Sequence, residues 1–192
     1  DMKINTVKKI TDYNYLNLFS ISYKDRINCE KQWIFASRSN RLNPLEKNHT
    51  KPDAVVIVPF HIPEKKLVLI KEFRVALGGY QYGFPAGLVD SGETIEQTGK
   101  RELFEETGLS VTKVLKKSPA IFSSSGMTDE SISLLFVECE GHPTSRFNEA
   151  SEDIEVMMLS REQASDILYD NKIKFDVKSW IILNTFATQG II

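Results

Sequence analysis

Cysteine and histidine are scarce in this chain of 192 residues: two Cys, at 29 and 139, and three His, at 49, 61 and 142. Two cysteines so far apart in sequence build no disulfide framework and suit a reducing compartment, the cytoplasm. Histidines this scattered exclude a Cys/His zinc centre. A metal held by this chain would rest on carboxylates, which select magnesium or manganese. Long apolar runs are lacking too, none reaching the ~18–20 residues that span a bilayer, and the opening Asp1-Met2-Lys3 has no apolar core of a secretory leader. Positive charge is not in excess: 24 Lys and Arg stand against 26 Asp and Glu, a net charge of −2, which argues against nucleic-acid binding driven by bulk charge. Neither a membrane nor a nucleic-acid partner is expected. Repeats and low-complexity tracts are absent. What remains, with 41% hydrophobic and 26% charged residues, is an ordinary globular composition, long enough for one domain with a small appendage.

The first third reads as strands. Leu16–Tyr23 alternates, with Phe19, Ile21 and Tyr23 on one face, and Gln32–Ser37 is a second β-rich run. Asp25–Asn28 suits the turn between them, and the polar segment Arg38–Asp53, with Pro44 and Pro52, reads as a linker. Ala54–Phe60 and Leu67–Arg74 are continuous apolar runs suited to buried strands, separated by a turn over Pro63–Lys66. Thr94–Thr107 is predicted helical, with Glu93 and Glu96 at its start and Gly108 placed to cap its end. Strands follow over Val111–Leu115, Ile121–Phe122, Ile132–Cys139 and Ile154–Leu159. Ser160-Arg161-Glu162-Gln163 is a capping box opening a helix to about Tyr169. Phe175–Thr188 closes the chain as an amphipathic helix. Strands first and helices interspersed mean an α+β fold with a mixed sheet.

Chemistry concentrates between Gly87 and Leu109, GLVDSGETIEQTGKRELFEETGL. Six acids (Asp90, Glu93, Glu96, Glu102, Glu105, Glu106) face two bases (Lys100, Arg101), a local net charge of −4. Glu102, Glu105 and Glu106 share one helical face, where like charges repel unless something positive lies between them. A divalent cation coordinated by oxygens would serve. Arg101, four before Glu105, can hold one carboxylate and leave others for metal. Gly99, between Ile95 and Leu103 on a different face, costs roughly 1 kcal/mol of helix stability against Ala and points to close packing on a sheet. A solvated acidic face is the plain alternative.

Position by position, the segment resembles the Nudix box, G-x5-E-x7-R-E-U-x-E-E-x-G-U with U aliphatic. Gly87, Glu93, Arg101, Glu102, Leu103, Glu105, Glu106, Gly108 and Leu109 fill it without a mismatch, a coincidence of roughly 10⁻⁹ per start point for equally frequent residues. The resemblance implies the Nudix fold, a mixed β-sheet packed between α-helices, and a Mg²⁺- or Mn²⁺-dependent hydrolase of nucleoside diphosphate derivatives. By position Glu102 and Glu106 would be metal ligands, Glu105 a further ligand or orienting group, and Arg101 with Glu93 the structural pair that fixes the helix and its loop.

From about Ala54 onward the chain is most similar to the ADP-ribose pyrophosphatase branch. The stretch Phe84–Glu93 matches that branch's approach to the box, which implies the Ala86 carbonyl as a metal ligand. Lys71-Glu72-Phe73-Arg74 resembles the stretch whose arginine contacts pyrophosphate, here Arg74. Ser151–Val156 resembles a late acidic loop whose glutamate returns to the metals or activates water, here Glu152. Glu149 and Glu105 compete with it as general base, and Ala150 stands where some relatives carry the base. Glu105, Glu152 and Arg101 thus form the candidate catalytic set. Ser124-Ser125-Gly126 lacks the proline usual in ADP-ribose-preferring relatives, although Gly126 and Glu130 still fit a substrate loop.

Residues 1–50 resemble the small antiparallel β-sheet region through which this branch forms homodimers, and residues 51–192 the hydrolase domain. There Trp33, Phe35 or Tyr23 could stack on a base, Trp33 being the first choice, while Trp180 reads as core. The expected reaction converts ADP-ribose to AMP and ribose 5-phosphate. GDP-mannose or another nucleotide sugar is the alternative substrate. A non-catalytic nucleotide-binding module would be expected to have lost box carboxylates or gained a DNA-binding appendage, whereas Glu102, Glu105 and Glu106 are all kept and no room for an appendage is expected after Ile192. Isomerase chemistry on an isoprenoid diphosphate would want a cysteine paired with an acid, which Cys29 and Cys139 do not offer.

Overall fold

Alternation predicts two strands in the first third of the chain; the computed structural model, which describes residues 1–39 and 41–192, contains three. Strands β1 (Lys3–Lys9), β2 (Asn17–Lys24) and β3 (Glu30–Ser37) form an antiparallel sheet in that order. Phe19 and Phe35 stand opposite each other with ring centroids 5.8 Å apart, and both are buried. The β2–β3 turn falls where expected: Asp25 Oδ1 accepts from the Ile27 and Cys29 amides, and Asn28 takes φ 64°. Strand β1 went unforeseen because KINTVKK carries only Ile4 and Val7 as apolar residues; its partner β2 orders it, and its lysines suit an edge.

The chain divides into two compact units, Asp1–Asp53 with Pro119–Ile132, and Ala54–Ser118 with Ser133–Ile192. The first therefore takes in a late segment that sequence reading left with the rest of the chain. The short strand Ile121–Phe122 pairs with Ser131 and Ile132, and the Ala36 amide donates to Met127 O at 2.8 Å. Arg38–Asp53 is also more than a linker. It contains a 3₁₀ turn at Pro44–Glu46, Lys47 pairs with Asp53, and Asp53 Oδ2 accepts from the Ser131 amide at 2.9 Å.

In the second unit β4 (Ala54–His61), β5 (Lys66–Arg74), β6 (Gly79–Gly83), β7 (Ala86–Leu88), helix α1 (Ile95–Thr107) and β8 (Ser110–Lys117) come first. With Ile121–Phe122 as β9, there follow β10 (Ser131–Glu140), β11 (Ile154–Leu159), α2 (Arg161–Ile167) and α3 (Val177–Gln189). The mixed sheet runs β11-β5-β4-β10-β8, with β6 on β5 and β7 on β4. Strands β6 and β7 have no apolar period of their own; hydrogen bonds to β5 and β4 define them.

Alternation along β4 explains why the sheet needs helices on both faces. Val55 and Ile57 join Val68, Leu135, Val137 and Leu103 of α1 in one buried cluster, while Phe60 meets Phe186 of α3 edge-on at 6.2 Å. Gly99 allows the close approach of α1: a β-carbon there would lie 2.4 Å from Leu135 Cδ2. Among the described residues no helix is long and apolar enough to cross a membrane.

Candidate active site

The box begins on β7, turns, and continues as α1. Thr94 caps the helix, accepting from the Gln97 amide at 3.2 Å while Gln97 Oε1 accepts from the Thr94 amide at 2.9 Å. Immediately before the cap, Glu93 accepts from Arg101 Nε and Nη2 at 3.1 and 3.0 Å and from Thr98 Oγ1 at 2.7 Å. The guanidinium and the hydroxyl hold the Glu93 carboxyl down to about 2. Arg101 Nη1 also donates to Glu102 Oε1 at 2.8 Å and Glu105 Oε2 at 3.0 Å, and Asp90 lies 3.6 Å from Nη2. One guanidinium thus gathers four carboxylates from the loop and the helix.

Deeper on the same helix face, Glu106 is only 5% exposed, and its Oε2 accepts from the Ala86 amide at 3.2 Å. Burial, then the charges of Glu102, Glu72 and Glu152, push its carboxyl up to about 9. Glu102 is shifted upward as well, by burial and by Glu105 and Glu152, with Arg101 opposing. Gly87 makes the room: a β-carbon on it would stand 1.9 Å from Glu102 Oε1. Only glycine lets β7 pass so close to that carboxylate.

The loop between β10 and β11 brings up the remaining acids. Glu149 and Glu152 line a cleft of about 460 Å³ together with Ala86, Gly87, Asp90, Arg101, Glu102, Glu105 and Phe147. Glu152 Oε2 accepts from the Glu149 amide at 2.8 Å, and the Glu152 amide donates to Glu149 O at 3.0 Å.

Sequence reasoning passed over one acid at this site, Glu72. It pairs with Arg74 at 2.8 Å, and burial pushes its carboxyl upward, with Arg74 opposing and Glu152 adding to the rise. Period two could have found it. Glu72 and Arg74 share a strand face with Val68, which packs in the α1 cluster. The other candidates belong to the first unit. Trp33 is 48% exposed and lines a pocket of about 240 Å³ with Phe35, Phe122, Ser125 and Thr128. Glu130 accepts from Arg38 Nε at 3.1 Å, and Gly126 has open space where a β-carbon would be.

A glycine-entered loop, a capped helix and a carboxylate cluster locked by one arginine are the features the box pattern describes, and residues 50–181 match the NUDIX domain. The chain belongs to the NUDIX family. It is 34% identical over 144 residues to a Saccharomyces cerevisiae protein named ADP-ribose pyrophosphatase, covering 70% of this chain and 57% of that one. It is 36% identical over 155 residues to the Caenorhabditis elegans protein named putative nudix hydrolase 2, covering 74% and 68%. The chain thus spans little more than half the length of the yeast relative. A crystal structure of an ADP compounds hydrolase shares the fold, with TM-score 0.73 at 21% identity, over 100% of this chain and 97% of that one.

The donor set of this NUDIX site fits a hard divalent cation. Burial, and then the charge of Glu152, raises the proton affinity of Glu72, Glu102 and Glu106, a sign of negative charge in excess at a half-buried place. Among the described residues no three acidic, His or Cys side chains already form a closed cation cage. Arg101 occupies one Glu102 oxygen, and Glu152 leans on the Glu149 amide.

Proposed function

We propose that this chain hydrolyses the pyrophosphate bond of a nucleoside diphosphate sugar, most readily ADP-ribose, giving AMP and ribose 5-phosphate. The observation that carries the reading is the carboxylate pair of half-buried Glu102, which lines an open cleft, and buried Glu106 on the same helix face, with Gly87 leaving room for Glu102. Such a cleft repels a pyrophosphate unless cations lie between. Glu102, Glu106, Glu152 and the Ala86 carbonyl would hold Mg²⁺ or Mn²⁺, which neutralises the charge on the pyrophosphate oxygens and acidifies water.

The chain's own groups have distinct tasks. Glu152 takes the proton as a water oxygen bonds to phosphorus, and the anhydride P–O bond breaks with its electron pair leaving on the departing phosphate. Glu105 is a weaker candidate for base, because its Oε2 already accepts from Arg101 Nη1 at 3.0 Å; Glu149 is the other competitor. Arg101 positions Glu102 and Glu105. Arg74, steadied by Glu72, offers its half-exposed guanidinium to a phosphate oxygen. In the first unit Trp33, Gly126 and Glu130 are the proposed substrate contacts, with the Trp33 ring as the surface on which the base stacks. The apolar groove formed there by Met2, Ile4, Ile21, Tyr23 and Trp33 suits a second copy of the chain, hence a homodimer. Two free cysteines are compatible with a cytoplasmic setting.

A panel of ADP-ribose, GDP-mannose, UDP-glucose, NADH and a nucleoside triphosphate, each with Mg²⁺ and Mn²⁺, tests the reading. Fastest release of AMP from ADP-ribose is expected. Ser125, in place of the usual proline before Gly126, counts against ADP-ribose and leaves GDP-mannose or another nucleotide sugar as the second reading. No product from any member of the panel would overturn hydrolysis in favour of a binding module.

A further inference from the structure

The loop that carries Glu149 and Glu152 runs from Gly141 to Asp153 with no helix or strand of its own. A connection of this length samples many conformations unless its ends are pinned. Both ends are pinned, each by one main-chain hydrogen bond and one side-chain contact. At the leading end the Thr144 amide donates to Thr107 O at 2.8 Å, and the Phe147 ring stacks on Phe104 of α1, centroids 4.8 Å apart and planes 27° apart. At the trailing end the Phe73 amide donates to Asp153 O at 3.0 Å, and Tyr80 Oη donates to Asp153 Oδ2 at 2.5 Å.

Between the pins, Glu149 and Glu152 close a turn on each other. Among the described residues neither the oxygen nor the nitrogen of the buried Asn148 amide has a partner, so that side chain adds no polar anchor there. Phe104 and Phe147 each leave more than two fifths of their surface in water. A pair whose task was core burial would not do so, and Phe147 is also one of the residues lining the acidic cleft.

We propose that Phe147 and Tyr80 are positioning residues for Glu152, two clamps that hold the acid loop at the cleft, one against α1 and one against β6. The inference rests on the hydrolase reading for its kinetic consequence, and on geometry alone for its structural one. Neither residue touches the reacting atoms. Their effect is to spare Glu152 a search through loop conformations before each turnover, and a catalytic group displaced by about 1 Å can cost roughly 10²-fold in rate.

The test uses the full chain with ADP-ribose and Mg²⁺, and the variants Tyr80→Phe, Phe147→Ala, Phe147→Tyr, Phe104→Ala and the double variant Phe104→Ala/Phe147→Ala. Tyr80→Phe and Phe147→Ala are expected to lower kcat about 10- to 100-fold with KM little changed. Phe147→Tyr should restore most of the rate, and the double variant should lose no more than Phe147→Ala. Hydrogen exchange should rise in residues 144–153 and stay unchanged in α1. Wild-type kcat in both single variants together with unchanged exchange in the loop overturns the clamps. An inactive wild-type chain overturns the hydrolase reading instead, and the exchange arm then decides the clamps by itself.

Discussion

Gly87 and Glu102 are in such close approach that a methyl group on Gly87 would overlap the Glu102 carboxylate, with a β-carbon 1.9 Å from Oε1. The far end of Glu102 can move, so Gly87→Ala need not unfold the chain; it evicts the carboxylate from its place beside Arg101. The expected result is a circular dichroism spectrum and Tm close to wild type with kcat/KM down about 100-fold. Wild-type kcat/KM in Gly87→Ala would show that the position of Glu102 does not matter for turnover.

The same close-approach argument applies to Gly99, with the opposite readout. Alanine there gains about 1 kcal/mol of helix propensity, but its methyl would lie 2.4 Å from Leu135 Cδ2 inside the fully buried cluster, and overpacking costs ~1–3 kcal/mol. Gly99→Ala is expected to lower the urea midpoint. Trimming the obstacle should reverse the sign of the interaction: the double variant Gly99→Ala/Leu135→Ala should be more stable than the sum of the two single changes, by about 1 kcal/mol.

Much of this was legible in the sequence, for physical reasons that differ by element. Strands β4 and β5 are legible because burial on both faces leaves continuous apolar runs such as Val55–Val58 and Leu67–Ile70, and helix α1 because Ile95, Gly99 and Leu103 recur on one face. The carboxylate site was legible because the chemistry fixes residue types at fixed spacing. Strands β6 and β7 were not, since GYQYG and AGL owe their state to partners far along the chain. Glu72 stayed hidden for a similar reason: it enters the acidic cluster through strand pairing, outside the motif. Helix α1 begins at Ile95, with Thr94, the first residue of the predicted helix, as its N-cap.

Acid sensitivity should trace to the Glu93–Arg101 pair. The Glu93 carboxyl is held at about 2, below its ordinary value of 4.5. Its contribution to stability is therefore complete above pH 4.5, and is lost as the pH falls from there through about 2, because the unfolded chain takes up the proton first. A Tm series from pH 6 to pH 2 should fall more steeply for the wild type than for Glu93→Gln, which has nothing there to titrate. The two curves should converge at the acid end. Parallel curves would detach this pair from acid stability.

Glu106 should show the reverse trade between function and stability. Its carboxyl is buried with a single amide donor, from Ala86, and among three other acids. Its value of about 9 lies above the ordinary 4.5. In the metal-free chain the contribution of this group is complete below pH 4.5 and is lost as the pH rises through about 9, since the folded state then holds the proton that the unfolded state has released. Glutamine keeps an oxygen for the Ala86 amide and removes the charge. Metal-free Glu106→Gln is thus expected to be more stable than metal-free wild type at pH 8, on the order of 2 kcal/mol or about 4–8 °C in Tm. Adding Mg²⁺ should reverse the order, raising the Tm of the wild type and leaving that of Glu106→Gln nearly unmoved, because binding only to the folded state adds stability. Turnover should be lost in the variant at every pH. The measurement is a pair of calorimetric scans for each protein, with EDTA and with Mg²⁺. A wild type whose Tm ignores Mg²⁺ would remove Glu106 from the ligand set, whatever its effect on rate.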